Sequence, residues 1–171
     1  MLIQAVVKDG EKIIFRDVKD ENSGQTYNLT VAQYIAYDLG SDNLGFSNEL
    51  YTKILQEAVE HCGEEGFKAE EYFTQHADIN IASVAVRLSV DRFQLAESLQ
   101  VKETEQTLRD RVIHLVADFR LEYVSSHLKE LNERLLQVKD SQEMQEIMSE
   151  IMRTQNLRNE LAKKTGSNIL V

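Results

Sequence analysis

The sequence contains no proline and few glycines, the two residues that most often interrupt helices. A chain of this length would ordinarily carry about eight prolines at the usual ~5% frequency, but this one has none, and only seven glycines. The good helix formers Leu, Glu, Gln, Lys and Ala are abundant. The composition therefore favours long uninterrupted helices, and its 42% of apolar residues is enough to form a core.

Cysteine is almost absent. Cys62 is the one cysteine, so no internal disulfide can form, and a reducing, cytoplasmic setting is expected. Long hydrophobic runs are also missing, because none approaches the ~18 apolar residues that a membrane-spanning helix requires. The apolar stretch from Leu2 to Val7 is too short for a signal peptide. We therefore expect no membrane segment and no membrane partner.

Positive charge is in deficit. The chain has 29 acidic and 19 basic residues and a net charge of −10. A nucleic-acid binder needs a basic surface that displaces counterions from the phosphates, so no direct nucleic-acid contact is expected. The deficit is uneven, since residues 1–102 hold 17 acidic and 9 basic side chains and residues 141–171 hold four of each. The C-terminal segment thus differs electrostatically from the acidic remainder.

Local signatures of catalysis or metal binding are missing from the sequence. There is no phosphate-binding glycine loop and no Gly-x-Ser-x-Gly motif. The histidines lack the spacing of a closed zinc site, and they are expected to be ordinary surface or packing residues: His61, His76, His114 and His127. We predict that this chain is not an enzyme and that it has no catalytic residues, no cofactor and no metal.

Helix end signals indicate a helical bundle over about 1–103. Thr30 and Gln33 form a capping-box pattern that begins a helix expected to end at Gly40. Ser47 and Asp78 are predicted to cap two further helices. Two short β-prone stretches within residues 11–29 predict a small β-hairpin insert.

The character of the chain changes after residue 103. From Glu103 to Lys139 there is no glycine, and apolar residues recur at three–four spacing, which predicts one long helix. Asp140 and Glu143 form a second capping-box pattern, and Gly166 is expected to end the last helix. Because the turn between the two helices is tight, they are expected to pack as an antiparallel helical hairpin.

The predicted organisation is an all-α fold with a small β-hairpin insert. A helical bundle subdomain spans 1–103, its less periodic end at 91–102 joining it to the rest. The connecting part of the long helix spans 104–121, and the C-terminal helical hairpin subdomain spans 122–171.

The last helix carries three of the four methionines, Met144, Met148 and Met152, at i, i+4 and i+8. We expect Met144 and Met148 to pack inside the hairpin, while Met152 could point either way. The last turns are basic, with Arg153, Arg158, Lys163 and Lys164. These cations can complement the helix dipole, meet an acidic partner, or do both.

Several short stretches resemble, in the same order, the C-terminal region of bacterial DnaG-type DNA primases. The stretch nearest the C-terminus, Gln155–Lys164, is similar to the Leu-Asn-x-x-Leu-Ala-Lys ending of that family. No single stretch is specific, but the ordered series covers nearly the whole chain. The stretches are Val31–Ile35, Leu44–Asn48 with Leu50–Tyr51, Gly66–Phe67 with Glu70–Phe73, His76–Asp78 and Gln155–Lys164.

The resemblance implies a docking domain with a helical bundle, a long helix and a hairpin that binds the N-terminal domain of the replicative helicase. It implies recruitment of primase to the fork, modulation of helicase activity and a place in the cytoplasmic bacterial replisome. Asn159 and Lys163 match polar positions implicated in helicase contact, and Leu161 and Ala162 match the apolar seam. The predicted partner-binding residues are Gln155, Arg158, Asn159, Leu161, Ala162, Lys163 and Lys164. This contact is expected opposite the methionines, on the polar-edged side.

Two other interpretations stay open. The chain could be a helical N-terminal-type domain of the replicative helicase itself, whose fold is similar, or a stand-alone helical adaptor. The catalytic parts of a primase are not expected here, because the zinc ribbon requires several cysteines and no Toprim-type acidic motif is apparent.

Overall fold

The computed structural model describes residues 1–19, 25–90 and 103–167, with the side chains of the last helix described as far as Lys163. The segment 91–102, expected to join two parts of the chain, and the end at 168–171 lie outside the described residues. The elements are α1 (Leu2–Asp9), β1 (Ile13–Lys19), β2 (Thr26–Thr30), α2 (Val31–Ser41), α3 (Glu49–His61), α4 (Ala69–Thr74), α5 (Ile79–Ser89), α6 (Glu105–Leu135) and α7 (Ser141–Ser167). The fold is mostly helical with one two-stranded hairpin, which confirms the predicted class.

The chain divides into two compact units, Met1–Ile113 and His114–Val171. The boundary falls within the segment 104–121 that was predicted to connect the bundle and the hairpin. None of the described helices is both long and apolar enough to cross a membrane.

The first unit is built around α1. Leu2, Ile3, Val6 and Val7 are all buried, whereas Gln4 and Lys8 on the opposite face are only half-buried, as is typical of an amphipathic helix that packs its apolar side into a core. Helices α2 to α5 contact α1. Their buried residues complete the core, which includes Val31, Ile35, Ile54, Phe73, Ile81 and Val84.

Strands β1 and β2 form an antiparallel pair with irregular register. A two-stranded sheet is marginal by itself, and side-chain contacts to helices support this one. The Phe15 ring lies 5.1 Å from that of Tyr34 on α2, and Arg109 of α6 lies over the Phe15 ring at 5.7 Å. Arg16 forms an ion pair with Glu105 at 2.8 Å. The hairpin insert therefore packs against α2 and the first turns of α6.

The helix ends agree with the sequence patterns at some positions and differ at others. Thr30 and Gln33 form the predicted capping box, and Asp78 caps α5. The prediction for Ser47 was wrong, because Asn48 is the N-cap of α3 and accepts from the Leu50 N–H. Helix α2 continues through Gly40, and α7 continues through residue 166. These two glycines therefore do not stop their helices as expected.

The second unit contains the predicted helical hairpin. Its core joins Leu128 and Leu131 of α6 to Ile147 and Ile151 of α7, with Leu135 packed against them. Asp140 accepts hydrogen bonds from the N–H groups of Gln142 and Glu143, which caps the start of α7 as the pattern predicted. The Glu143 side chain, however, binds Arg134.

Candidate docking surface

Helix α7 is held against α6 along a narrow apolar seam. The seam residues are Leu128, Leu131, Ile147 and Ile151, all at most 8% exposed. Polar pairs cover one border of it: Arg134 to Glu143 at 2.6 Å and His127 to Glu150 at 3.2 Å. The seam buries one face of α7 and leaves the remainder of its surface accessible.

The three methionines of α7 lie outside this seam. Met144, Met148 and Met152 are 37%, 52% and 65% exposed, so the expectation that Met144 and Met148 pack inside the hairpin was wrong. Steps of four residues rotate an α-helix by about 40°. A row at i, i+4 and i+8 therefore turns steadily away from the buried face on which Ile147 and Ile151 lie, and the exposure rises along it.

Four residues of the stretch Gln155–Lys164, which resembles the end of the primase family, continue the methionine row. At about 100° per residue, Gln155, Asn159, Ala162 and Lys163 project within the same arc of about 100° as the methionines. All four are exposed. We call the seven residues the methionine face: Met144, Met148, Met152, Gln155, Asn159, Ala162 and Lys163.

Two other predicted contact residues do not join this surface. Arg158, which is exposed, and Leu161, which is half-buried, project toward the seam side of α7. The side chain of Lys164 lies outside the described residues. The structure therefore separates the six predicted contact residues that it describes into four on the methionine face and two on the seam side. We expected these contact residues opposite the methionines, but Gln155, Asn159, Ala162 and Lys163 lie on the same side of α7 as the methionines.

The methionine face is nearly uncharged. The acidic residues of α7 (Glu143, Glu146, Glu150 and Glu160) all project outside its arc at the helical repeat. Lys163, near the C-terminal end, is its only charged member, and a cation there is favoured by the helix dipole. The surface thus presents adaptable apolar side chains first, then amides, then one positive charge.

A second cluster of polar side chains lies in the first unit. Glu57 of α3 accepts from His76 at 3.0 Å and from the Tyr72 hydroxyl at 3.4 Å, and Tyr72 also contacts His61 at 3.3 Å. Burial, together with nearby Glu57, raises the pKa of Tyr72, which keeps its phenol protonated as a donor. The cluster ties α3 to α4, so His61 and His76 are packing residues here.

No group of three His, Cys, Asp or Glu side chains is arranged for a metal ion among the residues that the structure describes. Within the same residues, every buried side-chain nitrogen or oxygen has a hydrogen-bond partner.

The exposure of the methionine row could not be read from its spacing. Isoleucines and methionines occupy adjacent stripes of α7, and either stripe satisfies helical periodicity. The branched isoleucines form the seam, and the flexible methionines remain at the surface. Only the position of α6 distinguishes the two stripes.

The comparisons with known proteins place the chain in a family. No curated protein and no solved structure matches the chain. A family described as a domain of unknown function, DUF8430, matches residues 1–169. The match covers nearly the whole chain, both units included, and the chain belongs to the DUF8430 family.

Proposed function

We propose that this chain is the helicase-docking domain of a bacterial DNA primase and that the methionine face contacts the N-terminal domain of the replicative helicase. The ordered resemblance from Val31 to Lys164 supports the identity of the partner. The observation that carries the choice of surface is the exposure of three methionines in line with Asn159 and Lys163.

The chemistry of this surface suits a helical partner. Methionine side chains adapt to irregular surfaces because they are unbranched and polarisable, and contiguous exposed apolar side chains commonly mark interaction sites. An amphipathic helix recognises a partner through anchors at i, i+3, i+4 and i+7. The methionine row offers such anchors, and the amides of Gln155 and Asn159 can fix their register through hydrogen bonds.

In this proposal the domain is a non-catalytic module of the replisome in the bacterial cytoplasm. It recruits primase to the fork and modulates the helicase through protein contacts. The net charge of −10 favours a protein partner over the phosphates of DNA. Lys163 would meet an acidic group of the helicase, and such a charge contributes more to specificity and association rate than to affinity.

Calorimetry with the isolated N-terminal domain of the helicase from the same organism tests the proposal. Met152→Glu places a charge on the methionine face, and we expect it to weaken binding at least about tenfold. Leu157→Glu is the matched control, because Leu157 is 48% exposed but projects from the other side of α7. Asn159→Ala and Lys163→Glu are expected to weaken binding with unchanged helix content by circular dichroism.

The possible outcomes separate the candidates. Absence of heat and of a complex on gel filtration would show that the proposed partner is wrong. If Met152→Glu and Leu157→Glu weaken binding to the helicase domain equally, the methionine face is not the contact surface. Assembly of the chain alone into trimers or rings by light scattering would support the helicase-domain interpretation instead.

A further inference from the structure

An apolar groove lies between α2 and α3 in the first unit. Its volume is about 340 Å³, and the loop after α2 closes one end. The floor side chains are Leu39, Leu44, Phe46, Leu55 and Val59, of which all but Leu39 are partly exposed. Apolar side chains that remain accessible in a concave surface favour the binding of another apolar group.

The loop that forms the end wall is held in place. The Leu44 N–H donates to the Leu39 carbonyl at 2.9 Å, and the Asn43 N–H donates to the Gly40 carbonyl. Asn43 adopts a φ of +53°, a conformation that asparagine tolerates well. The Phe46 ring meets Tyr51 edge to face at 5.9 Å. The groove is therefore formed before any partner arrives.

The border of the groove is acidic. Glu60 lines the groove and is exposed. Glu49 lies on the same flank of α3, eleven residues before Glu60. Asp42 is the first residue of the loop after α2. No lysine or arginine is among the described residues that line the groove. The one lysine of α3, Lys53, lies 3.4 Å from Asp78 and 4.0 Å from Glu57.

We propose that this groove docks a segment of a partner protein in which one or two large apolar side chains are flanked by lysine or arginine. The apolar floor takes the anchor, and Glu60 and Glu49 pair with the flanking cations. Charge complementarity of this kind selects the partner and speeds association, while an acidic segment is repelled. The lining offers few polar groups to orient a small polar ligand, so an amphipathic segment fits better.

This docking site is independent of the proposed primase function. Its lining residues all fall between Ala36 and Glu60, and none belongs to α7. A chain that fails to bind the helicase domain can still bind the basic apolar segment at the groove. A variant altered in the groove can still bind the helicase domain.

The test uses the full chain and two synthetic peptides as probes. One is an amphipathic peptide with leucine anchors flanked by lysines, and the other has glutamate in place of every lysine. We expect the lysine peptide to bind by fluorescence anisotropy at least about tenfold more tightly than the glutamate peptide. Amide NMR shifts should concentrate at Leu55, Val59 and the loop after α2.

Two variants tie the binding to the groove. A Cβ atom added at Gly40 meets nothing within 4 Å, so Gly40→Phe can project its ring into the groove. Glu60→Lys reverses an exposed charge on the border, with little risk to folding. Each variant is expected to weaken binding of the lysine peptide about tenfold. Glu65→Lys makes the same charge change at an exposed residue that does not line the groove, and we expect it to bind nearly as the wild type does.

Three results would overturn the inference. The first is equal binding of the two peptides. The second is binding that survives both Gly40→Phe and Glu60→Lys, or NMR shifts that fall outside the groove. The third is a concentration-dependent dimer in sedimentation that Gly40→Phe abolishes, because the occupant would then be a second copy of this chain.

Discussion

Ile147 and Met148 are adjacent in sequence, yet they have opposite environments on α7. Ile147 is 2% exposed in the seam with α6, and Met148 is 52% exposed on the methionine face. Both are large, apolar and at helical spacing from similar neighbours. The seam supplies the packing of the hairpin, and the methionine face is left exposed to solvent.

This division predicts different effects of truncating each residue. Ile147→Ala removes packing against Leu128, Leu131 and Ile151, and we expect it to lower the free energy of unfolding by about 2–5 kcal/mol. Met148→Ala is expected to change it by no more than about 0.5 kcal/mol. Urea unfolding followed by circular dichroism measures both. Similar losses in the two variants would contradict the assignment of seam and face.

Arg111 of α6 binds a buried carboxylate of α1. Its guanidinium lies 2.8 Å from Asp9, whose side chain is 8% exposed, and 2.8 Å from Glu103. Hydrogen bonds to Glu103 and Asp9 raise the pKa of Arg111. We expect Arg111→Met to destabilise the protein by roughly 1–3 kcal/mol, less than for a fully buried pair because Arg111 is partly exposed.

A second substitution, at Asp9, tests whether the loss of stability in Arg111→Met comes from leaving the Asp9 carboxylate without its partner. Asp9→Asn removes the buried charge, so the double variant Asp9→Asn/Arg111→Met should lose less than the sum of the two single losses. Lys12, 2.6 Å from Asp9, remains beside the carboxylate as a cation in Arg111→Met. Strictly additive losses by urea unfolding would show that the two side chains do not stabilise each other.

Asp78 at the start of α5 predicts a dependence of stability on pH. It accepts from the Asn80 N–H at 2.9 Å. That hydrogen bond, assisted by Lys53, lowers the pKa of Asp78. A carboxyl whose pKa is lower in the folded state stabilises the fold above its unfolded pKa of about 3.9, and this contribution is lost as the pH falls through the folded pKa.

Asp78→Asn keeps the cap but removes the charge. We therefore expect its urea midpoint to lie below that of the wild type at about pH 6, and the difference to shrink at about pH 3. Comparing the two proteins at each pH cancels the effect of the other carboxylates. A difference that persists or grows at the lower pH would contradict the assigned role of the ionised carboxyl.

Gly10 and Gly40 predict opposite responses to the same substitution. A Cβ atom at Gly10 would collide with the Val6 carbonyl oxygen and lie 3.3 Å from the Cβ of Ala69, whereas one at Gly40 meets nothing within 4 Å. We expect Gly10→Ala to destabilise by about 1–3 kcal/mol and Gly40→Ala to stabilise by about 0.5–1 kcal/mol. Thermal unfolding of both variants decides, and a stabilising Gly10→Ala would contradict the close packing of α1 against α4.

Much of the fold follows from the sequence because its determinants are local. The capping box at Thr30 and Gln33 and the cap at Asp78 act within three residues, so their patterns predict the helix starts. The adjacent candidates Ser47 and Asn48 both suit an N-cap, and the backbone path into α3 chooses Asn48. The glycines at 40 and 166 cost the helices only about 1 kcal/mol each relative to alanine, which the rest of each helix outweighs.

The sequence by itself determined the helical class, the hairpin over α6 and α7, and the charge contrast between the acidic first hundred residues and the neutral end. Only the tertiary structure decided which stripe of α7 is buried and which meets solvent. Periodicity detects an apolar face, but two adjacent stripes satisfy it equally, and burial depends on where Leu128 and Leu131 of α6 pack. The groove between α2 and α3 has the same origin, because its floor combines side chains of α2, of the loop after it and of α3, which only folding places side by side.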